Sequence, residues 1–521
     1  MEETVAEMFF YGRNVCKGLI RQGALALALL LPSFALAEVS VYESMKIGDE
    51  IAGLLPRAPL HFRPETPEDS SLPTYSLQPE IRLQGLEGFG ANFTESCAIN
   101  LLRLPEDQRR NVLERIFSKT KGAGFDRIRL PMGASDFADG EKGSYTYDDT
   151  EGNEPDPSFR RFSLERDEKS LALLREAQAI NPRLTVMITP WSAPAWMKTS
   201  GNLHGGRLAP EHFQDFANYF VKTIRELQKR GIALDSLTIQ NEPYYQTQGY
   251  PTMQMFPEEQ IRFIGEYLGP TLAKNRIRLH LYALDHNWDL AKVAKSILTN
   301  PVAGRYLHGT AYHCYSGSRW DMNETFQAFP GKPTLQTECT GFDGIHKREL
   351  AQDFHWWLDN QSVGAVSMGT SGALGWNLCL DETNGPQNGF KNIGENGGCT
   401  SCRGMVKMDF SQSPARLTYN PEFHALAQVS AFIEPGTRRI GLSGEVPAVQ
   451  AVAFLNADGT RVVVAQNRGQ ESVKFRVRAE DNQVVVYEIP ARAATTLTWK
   501  ATPAAGKLRA ASRAKKNPPA K

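Results

Sequence analysis

Two glutamates, each set just after a short run of alternating apolar residues, are the groups in this chain best placed to do chemistry. The first follows Leu237-Thr238-Ile239-Gln240-Asn241 and precedes Pro243, and the second ends Pro333-Thr334-Leu335-Gln336-Thr337-Glu338. Leu237 and Ile239 alternate with polar residues as a half-buried strand does, and Pro243, which has no N–H, is expected to stop that strand. Two carboxylates facing one bond are the minimum set for cleaving a glycosidic linkage. One protonates the leaving oxygen and later activates water, while the other attacks the sugar carbon. Neighbouring carboxyls ionise unequally, which separates the roles. Glu242 is read as the acid/base and Glu338 as the nucleophile, with no metal or cofactor in the scheme.

These two residues need a scaffold that brings distant strand ends together. Strands are expected at 88–93, 127–131, 184–189, 234–240, 278–284, 308–313, 333–337 and 373–378. Amphipathic helices lie between them. Val112, Leu113, Ile116 and Phe117 share one face, and so do Phe213, Phe216, Phe220, Ile224 and Leu227. Eight strands alternating with helices predict an α/β fold, a (β/α)8 TIM barrel. A doubly wound open sheet is the alternative, but no glycine-rich phosphate loop follows an early strand.

In a barrel the strand ends converge on one face. They deliver Arg129 and Asp136, then Trp191, Asn241 and Glu242, Asp285 and His286, His313 and Tyr315, Glu338, and finally Trp376 and Asn377. Arg129 suits pinning the nucleophile in its ionised form, and Tyr315 suits donating to it. Asn241 suits a sugar 2-hydroxyl, and Trp191 and Trp376 suit the apolar face of a sugar ring. Each has a plainer reading. Arg129 can pair with a core acid, the tryptophans can be core, and His313 can be a buried, hydrogen-bonded histidine. Asp285, His286 and His313 sit on separate strands without ligand spacing, so no metal set is expected there.

The rest of the chain frames this core. Residues 38–85 read as short edge strands and loops broken by Pro56, Pro59, Pro64, Pro67 and Pro73. The barrel is expected over 86–420. An all-β domain is expected over 421–500, formed together with the leading strands so that both chain ends build one β-sandwich. Residues 501–521 read as a disordered basic tail. Arg13, Lys17 and Arg21 precede an apolar run over 23–31 and the small-residue site Ala35-Leu36-Ala37. This is a signal peptide over 1–37, too short to span a bilayer, and it implies export to the periplasm or the medium. Lys+Arg 58 and Asp+Glu 58 cancel, which gives no footing for nucleic-acid binding. Of seven cysteines, Cys399 and Cys402 read as a local disulfide or two free thiols. Cys97, Cys314, Cys339 and Cys379 read as small core residues.

Several segments carry a specific likeness. They are Gly88-Phe89-Gly90-Ala91-Asn92-Phe93-Thr94-Glu95, Arg129-Leu130-Pro131-Met132, Ser135-Asp136-Phe137, Pro190-Trp191-Ser192-Ala193-Pro194-Ala195-Trp196-Met197-Lys198, Gln240-Asn241-Glu242-Pro243, His313-Cys314-Tyr315, Thr337-Glu338-Cys339 and Gly375-Trp376-Asn377-Leu378. In this order, over about 85–435, the chain resembles glycoside hydrolase family 30, and within it the glucosylceramidases of acid β-glucosidase type. The resemblance implies a retaining barrel joined to a β-sandwich, with Glu242 as acid/base and Glu338 as nucleophile. It implies that Asp136, Trp191, Asn241 and Trp376 hold a terminal glucose, Asp136 through the hydroxyls farthest from the scissile bond. The partner is then a β-glucoside, glycolipid or glucan. The loops over 244–255 and 394–402 depart from the lysosomal pattern. That opens an endo-acting β-1,6-glucanase or a β-xylosidase as the alternative to a glucosylceramidase. A sugar-binding barrel without catalysis is the reading from a different class, and the intact glutamate pair speaks against it.

Overall fold

Eight short parallel strands close on one another in the computed structural model, which describes residues 37–344, 347–388 and 398–500. The leader before residue 37, the tail from 501 and residues 394–397 of the 394–402 loop lie outside the described residues. The chain enters through β1 (Glu38–Ile47), β2 (Glu50–Pro56), β3 (Leu60–His61) and β4 (Thr74–Gly85). The barrel follows with β5 (Gly88–Asn92), β6 (Arg127–Pro131), β7 (Thr185–Thr189), β8 (Leu234–Thr238), β9 (His280–Asn287), β10 (Leu307–His313) and β11 (Thr334–Glu338). After the short β12 (Gly341–Phe342), β13 (Thr370–Gly375) completes it. The closed order is β10-β11-β13-β5-β6-β7-β8-β9. Met187, Tyr282, Ala311 and Leu335 pack together inside, a filled core as TIM barrels require.

The helices follow the apolar periodicity. α1 (Glu95–Arg103) starts at Thr94, whose side chain accepts from the Cys97 N–H, a standard N-cap. α2 (Glu106–Phe117) buries Val112, Leu113, Ile116 and Phe117. After α3 (Glu168–Ile180) comes α4 (Phe213–Lys229), which buries Phe213, Phe216, Phe220, Ile224 and Leu227. Each such side chain contributes about 1.5–3 kcal/mol relative to exposure.

Three strands differ from the sequence reading by two residues or more at a limit, each for a local reason. β8 stops at Thr238, well before Pro243. The backbone of Asn241 and Glu242 leaves the β8 ladder and bonds instead to Pro190 and Asp285 carbonyls, at 2.9 and 3.0 Å. β9 runs through Asn287 because a bulge lets it pass Asp285 without a partner on β10. β13 begins at Thr370 and ends at Gly375, so Trp376 and Asn377 already belong to the exit loop.

Beyond the barrel, β14 (Cys379–Asp381), β15 (Cys402–Arg403), β16 (Val406–Asp409) and β17 (Arg416–Tyr419) form small sheets. Residues 421–430 form a helix, Pro421–Ser430, rather than the start of the β domain. Asn420 and Pro421 open that helix, and its face is buried throughout. The late strands are β18 (Arg438–Ser443), β19 (Val449–Leu455), β20 (Thr460–Asn467), β21 (Val473–Arg478), β22 (Val484–Ile489) and β23 (Ala494–Lys500). They join the leading strands in the order β2-β1-β23-β20-β19-β18-β4-β21-β22. The sandwich core includes Val41, Phe62, Val463, Phe475, Leu497 and Trp499. Of the early strands, β2 is an edge and β3 pairs with β1 alone, whereas β1 lies between β2 and β23, and β4 between β18 and β21. Pro56 ends β2, and Pro59, Pro64, Pro67 and Pro73 fall between strands, so none removes an interior ladder donor.

Two of the cysteines also differ from the reading. Cys314 and Cys339 form a disulfide, although each had looked like a small core residue. β10 and β11 are adjacent, and each cysteine directly follows the last residue of its strand, which brings the pair together. Cys399 and Cys402 form a second disulfide. Cys97 and Cys379 are free and buried. Among the described residues no helix is long and apolar enough to cross a membrane.

Candidate active site

Arg129, at the middle of β6, is the hub on which the strand exits converge. It is fully buried, and a buried guanidinium must be paired. Its Nη1 donates to Asn92 Oδ1 and Glu338 Oε2, both at 2.8 Å. Its Nη2 donates to Asn241 Oδ1 at 2.7 Å and Asp285 Oδ2 at 2.8 Å. One side chain thus fixes residues from β5, β9, β11 and the β8 exit. Asn241 spends its carbonyl on Arg129, which leaves the amide NH2 to donate to a ligand.

Glu338, the last residue of β11, is held at both oxygens. Oε2 takes the Arg129 bond, and Oε1 accepts from the Tyr315 hydroxyl at 2.9 Å. Glu242 is held from one side only. Its Oε1 lies 3.0 Å from His313 Nδ1 and 4.0 Å from His286 Nδ1. One atom each from Glu242, His313 and Glu338 lie within 4.8 Å of one another. Glu242 sits at φ 43° and Asp285 at φ 56°, the left-handed region that side chains other than glycine seldom adopt. Such strain concentrates where geometry is functional.

Two bulges aim the supporting groups inward. The ladder skips Asp285 between the pairs Ala311–Leu284 and Tyr312–His286. It skips Thr337 between Tyr312–Gln336 and His313–Glu338. A bulge re-aims the extra residue. Thr337 Oγ1 donates to Asp285 Oδ1 at 2.6 Å, and Thr238 Oγ1 donates to Asp285 Oδ2 at 2.6 Å. His313 Nε2 lies 3.1 Å from Asp285 Oδ1.

Charge in the pocket follows from these contacts. Burial opposes ionisation of Asp285, yet Arg129, His313 and Thr238 hold it far below the usual carboxylate range. Burial also opposes the His313 cation, but Glu338, Asp285 and Glu242 raise it to about 9. A protonated imidazole donates from both nitrogens and has no lone pair for a metal. Burial pushes Glu338 up, and the Glu242 charge adds to this against His313 and Arg129. Glu242 is buried too, but the His313 bond and charge pull it down. Burial, then the Glu338 charge, raise Asp136 well above its ordinary value.

The two tryptophans pack against each other beside this network. Trp191 and Trp376 stack at 5.3 Å between ring centroids, with Phe137, Tyr250, Leu380 and Cys402 around them. The Arg129 guanidinium lies 4.8 Å over Trp191. Asp136 sits beneath Gly398, where an added Cβ would stand 2.9 Å from the Asp136 Cβ. That close approach needs glycine. Asn377 directly follows Trp376. It is buried and accepts from Thr94 Oγ1 at 2.8 Å, and it bonds neither glutamate. Asn92, Asp285, Thr238 and Thr337 carry the supporting bonds and were not assigned as site residues from sequence. Only Asp285 was visible there at all, as a polar residue at a strand end.

Comparison with known proteins places this geometry. The Glycosyl hydrolase family 30 TIM-barrel domain matches residues 86–396, which is more than half of the chain. The chain belongs to glycosyl hydrolase family 30. The family's β-sandwich domain matches residues 436–497. This family 30 enzyme is 32% identical over 437 residues to the endo-1,6-β-D-glucanase neg1 of Aspergillus fumigatus, across 79% of this chain and 84% of that one. It is 30% identical over 446 residues to the lysosomal acid glucosylceramidase of Mus musculus, across 82% and 83%. Its structure resembles that of the endo-β1,6-glucanase BT3312, with TM-score 0.78 and 29% identity over 89% of this chain and 100% of that one. The family is thereby established and the chain is an O-glycosyl hydrolase. The narrower glucosylceramidase type is not singled out, since endo-1,6-glucanases match at least as well.

Proposed function

We propose that this enzyme is a retaining endo-β-1,6-glucanase, exported by its leader segment, with Glu338 as nucleophile and Glu242 as acid/base. The observation that carries the mechanism is the carboxylate pair, which approaches within 4.8 Å. Retaining enzymes hold the two carboxyls about 5–5.5 Å apart, and inverting ones leave room for a water. The substrate reading is supported by the likeness to endo-1,6-glucanases in sequence and in structure.

In the first step a Glu338 oxygen attacks the anomeric carbon, and Glu242 protonates the departing 6-oxygen. In the second, Glu242 takes a proton from water, which displaces Glu338 with overall retention. Burial and the Glu242 charge raise Glu338, whereas His313 lowers Glu242, the reverse of this division. The bonding geometry decides the roles. Arg129 and Tyr315 hold Glu338 at both oxygens and stabilise it as a carboxylate and leaving group. Glu242 keeps one oxygen clear for the glycosidic oxygen, beside an imidazolium that holds a proton. The two carboxyls titrate as one unit. Asn241 donates to the 2-hydroxyl, Trp191 and Trp376 pack on the ring, and Asp136 takes the distal hydroxyls.

The test is a substrate panel of β-1,6-glucan, glucosylceramide, aryl β-glucoside and aryl β-xyloside, with the first-formed anomer read by proton NMR. The expected result is internal cleavage of β-1,6-glucan with the β-anomer released first. Preference for glucosylceramide overturns the substrate reading. The α-anomer overturns the retaining mechanism.

A further inference from the structure

We propose that Glu87, His280 and His308 form a divalent transition-metal site, of Zn²⁺ type, at the floor of the barrel. Their ligand atoms lie within 4.8 Å of one another. His280 opens β9, His308 is the second residue of β10, and Glu87 immediately precedes β5. All three therefore sit at the strand starts, opposite the catalytic end. Along β10, His308 stands five residues before His313, roughly 16 Å at strand rise. In the closed order β5 lies four strands from β9, so Glu87 reaches across the floor.

The donor chemistry suits zinc. Two imidazoles and one carboxylate, with a fourth position left for water, are a recognised ligand set. Zn–N and Zn–O bonds of about 2.0–2.2 Å place neighbouring tetrahedral ligands roughly 3.3–3.5 Å apart. His308 Nε2 and Glu87 Oε1 are already 3.2 Å apart, so a metal fits between them with little movement. The His280 ring lies parallel to His308 at 3.6 Å between centroids. His280 is exposed, so it is free to turn a nitrogen inward.

The surroundings leave the site open to a cation. Arg127 spends its closest bond on Asp235, at 2.6 Å, and reaches Glu87 Oε2 only at 3.4 Å. Glu87 Oε1 faces His308 Nε2, and the Tyr282 ring meets His308 edge-on at 5.4 Å. Bound metal would brace strands on opposite sides of the barrel without touching substrate.

The full chain, stripped with EDTA, is titrated with Zn²⁺ by calorimetry and with Co²⁺ by visible absorption. One ion per chain is expected, with the d–d bands of tetrahedral Co²⁺ and a raised Tm. His280→Ala and Glu87→Gln each weaken binding by more than about tenfold while glycoside hydrolysis stays at the wild-type level. Glu338→Gln separates this site from the catalytic carboxylates and keeps the metal. No binding by wild type overturns the proposal. So does binding that survives in the His280→Ala/His308→Asn double variant or disappears in Glu338→Gln.

Discussion

At the scale of single residues the pocket is a problem in placing charge. Arg129 and His313 supply two buried cations to Glu338, Asp285 and Glu242. Removing one member of such a set costs about 3–5 kcal/mol, because an uncompensated charge stays behind. Arg129→Met is therefore expected to lower the denaturation midpoint strongly, and an unchanged midpoint would contradict the hub. Glu242→Gln is expected to slow β-1,6-glucan hydrolysis about 100- to 10,000-fold, the range of general acid–base assistance. Formation of the glycosyl-enzyme from an aryl glucoside with a good leaving group should fall far less, since that oxygen needs no proton. Equal losses on both substrates in single-turnover kinetics would remove Glu242 from the acid role. His313 gives a pH signature. Its folded pKa of about 9 lies above its ordinary value of 6.5. Its stabilising contribution is thus complete below about 6.5 and is lost as pH rises through about 9. The stability gap between wild type and His313→Asn should be widest near pH 6 and close by pH 10. A gap independent of pH would show that the imidazole is neutral throughout.

At the scale of elements, what matters is how strand exits are tied together. The Cys314–Cys339 bridge joins the exits of β10 and β11, directly beside His313 and Glu338. It closes a loop with a sequence separation of 25, which on the chain-entropy account stabilises by about 3 kcal/mol. Cys314→Ser/Cys339→Ser is expected to lose about that much stability. It is also expected to lower kcat, since the nucleophile is no longer braced against its neighbour strand. A variant with wild-type kcat would make the bridge purely structural. The loop beyond Glu242 is tied differently. The buried Lys198 ammonium donates to Ser192 Oγ at 2.8 Å and to the Leu203 and Thr252 carbonyls at 2.7 and 2.8 Å. It fixes the 244–255 loop against the β7 exit, where the residues after the glucose unit would be read.

At the scale of the whole molecule, the sandwich and barrel support each other. Leu86 bonds to both Gly436 and Thr437 across the junction, its N–H donating to Thr437 O and its carbonyl accepting from Gly436 N–H, both at 2.8 Å. Lys119 donates to the Ser430 and Ile433 carbonyls at 2.9 and 2.8 Å. Gln466 and Arg468 donate to Asp359 on the barrel helix Leu350–Asn360. β4 finds its partners, and β1 its neighbour β23, only in the last strands of the chain. A chain ending at residue 435 is therefore expected not to accumulate as a folded barrel, and the full chain is expected to unfold in one transition. A truncated chain with native circular dichroism and hydrolysis would show that the barrel stands alone.

The sequence by itself determined the alternation of strands and helices, the two chain ends as β structure, and Glu242 and Glu338. Each of these is written locally, in apolar period and in residues placed at the end of a strand. Phe213, Phe216 and Phe220 announce the buried face of α4 without reference to anything outside it. Tertiary structure alone decided that Arg129 serves four acceptors, that Asp285 turns inward and that Cys314 meets Cys339. The physical reason is register. A bulge of one residue at Asp285 or Thr337 re-aims a side chain without altering the hydrophobic pattern that makes the strand legible. Partners across the barrel axis are set by closure of eight strands, which no segment of the chain encodes alone.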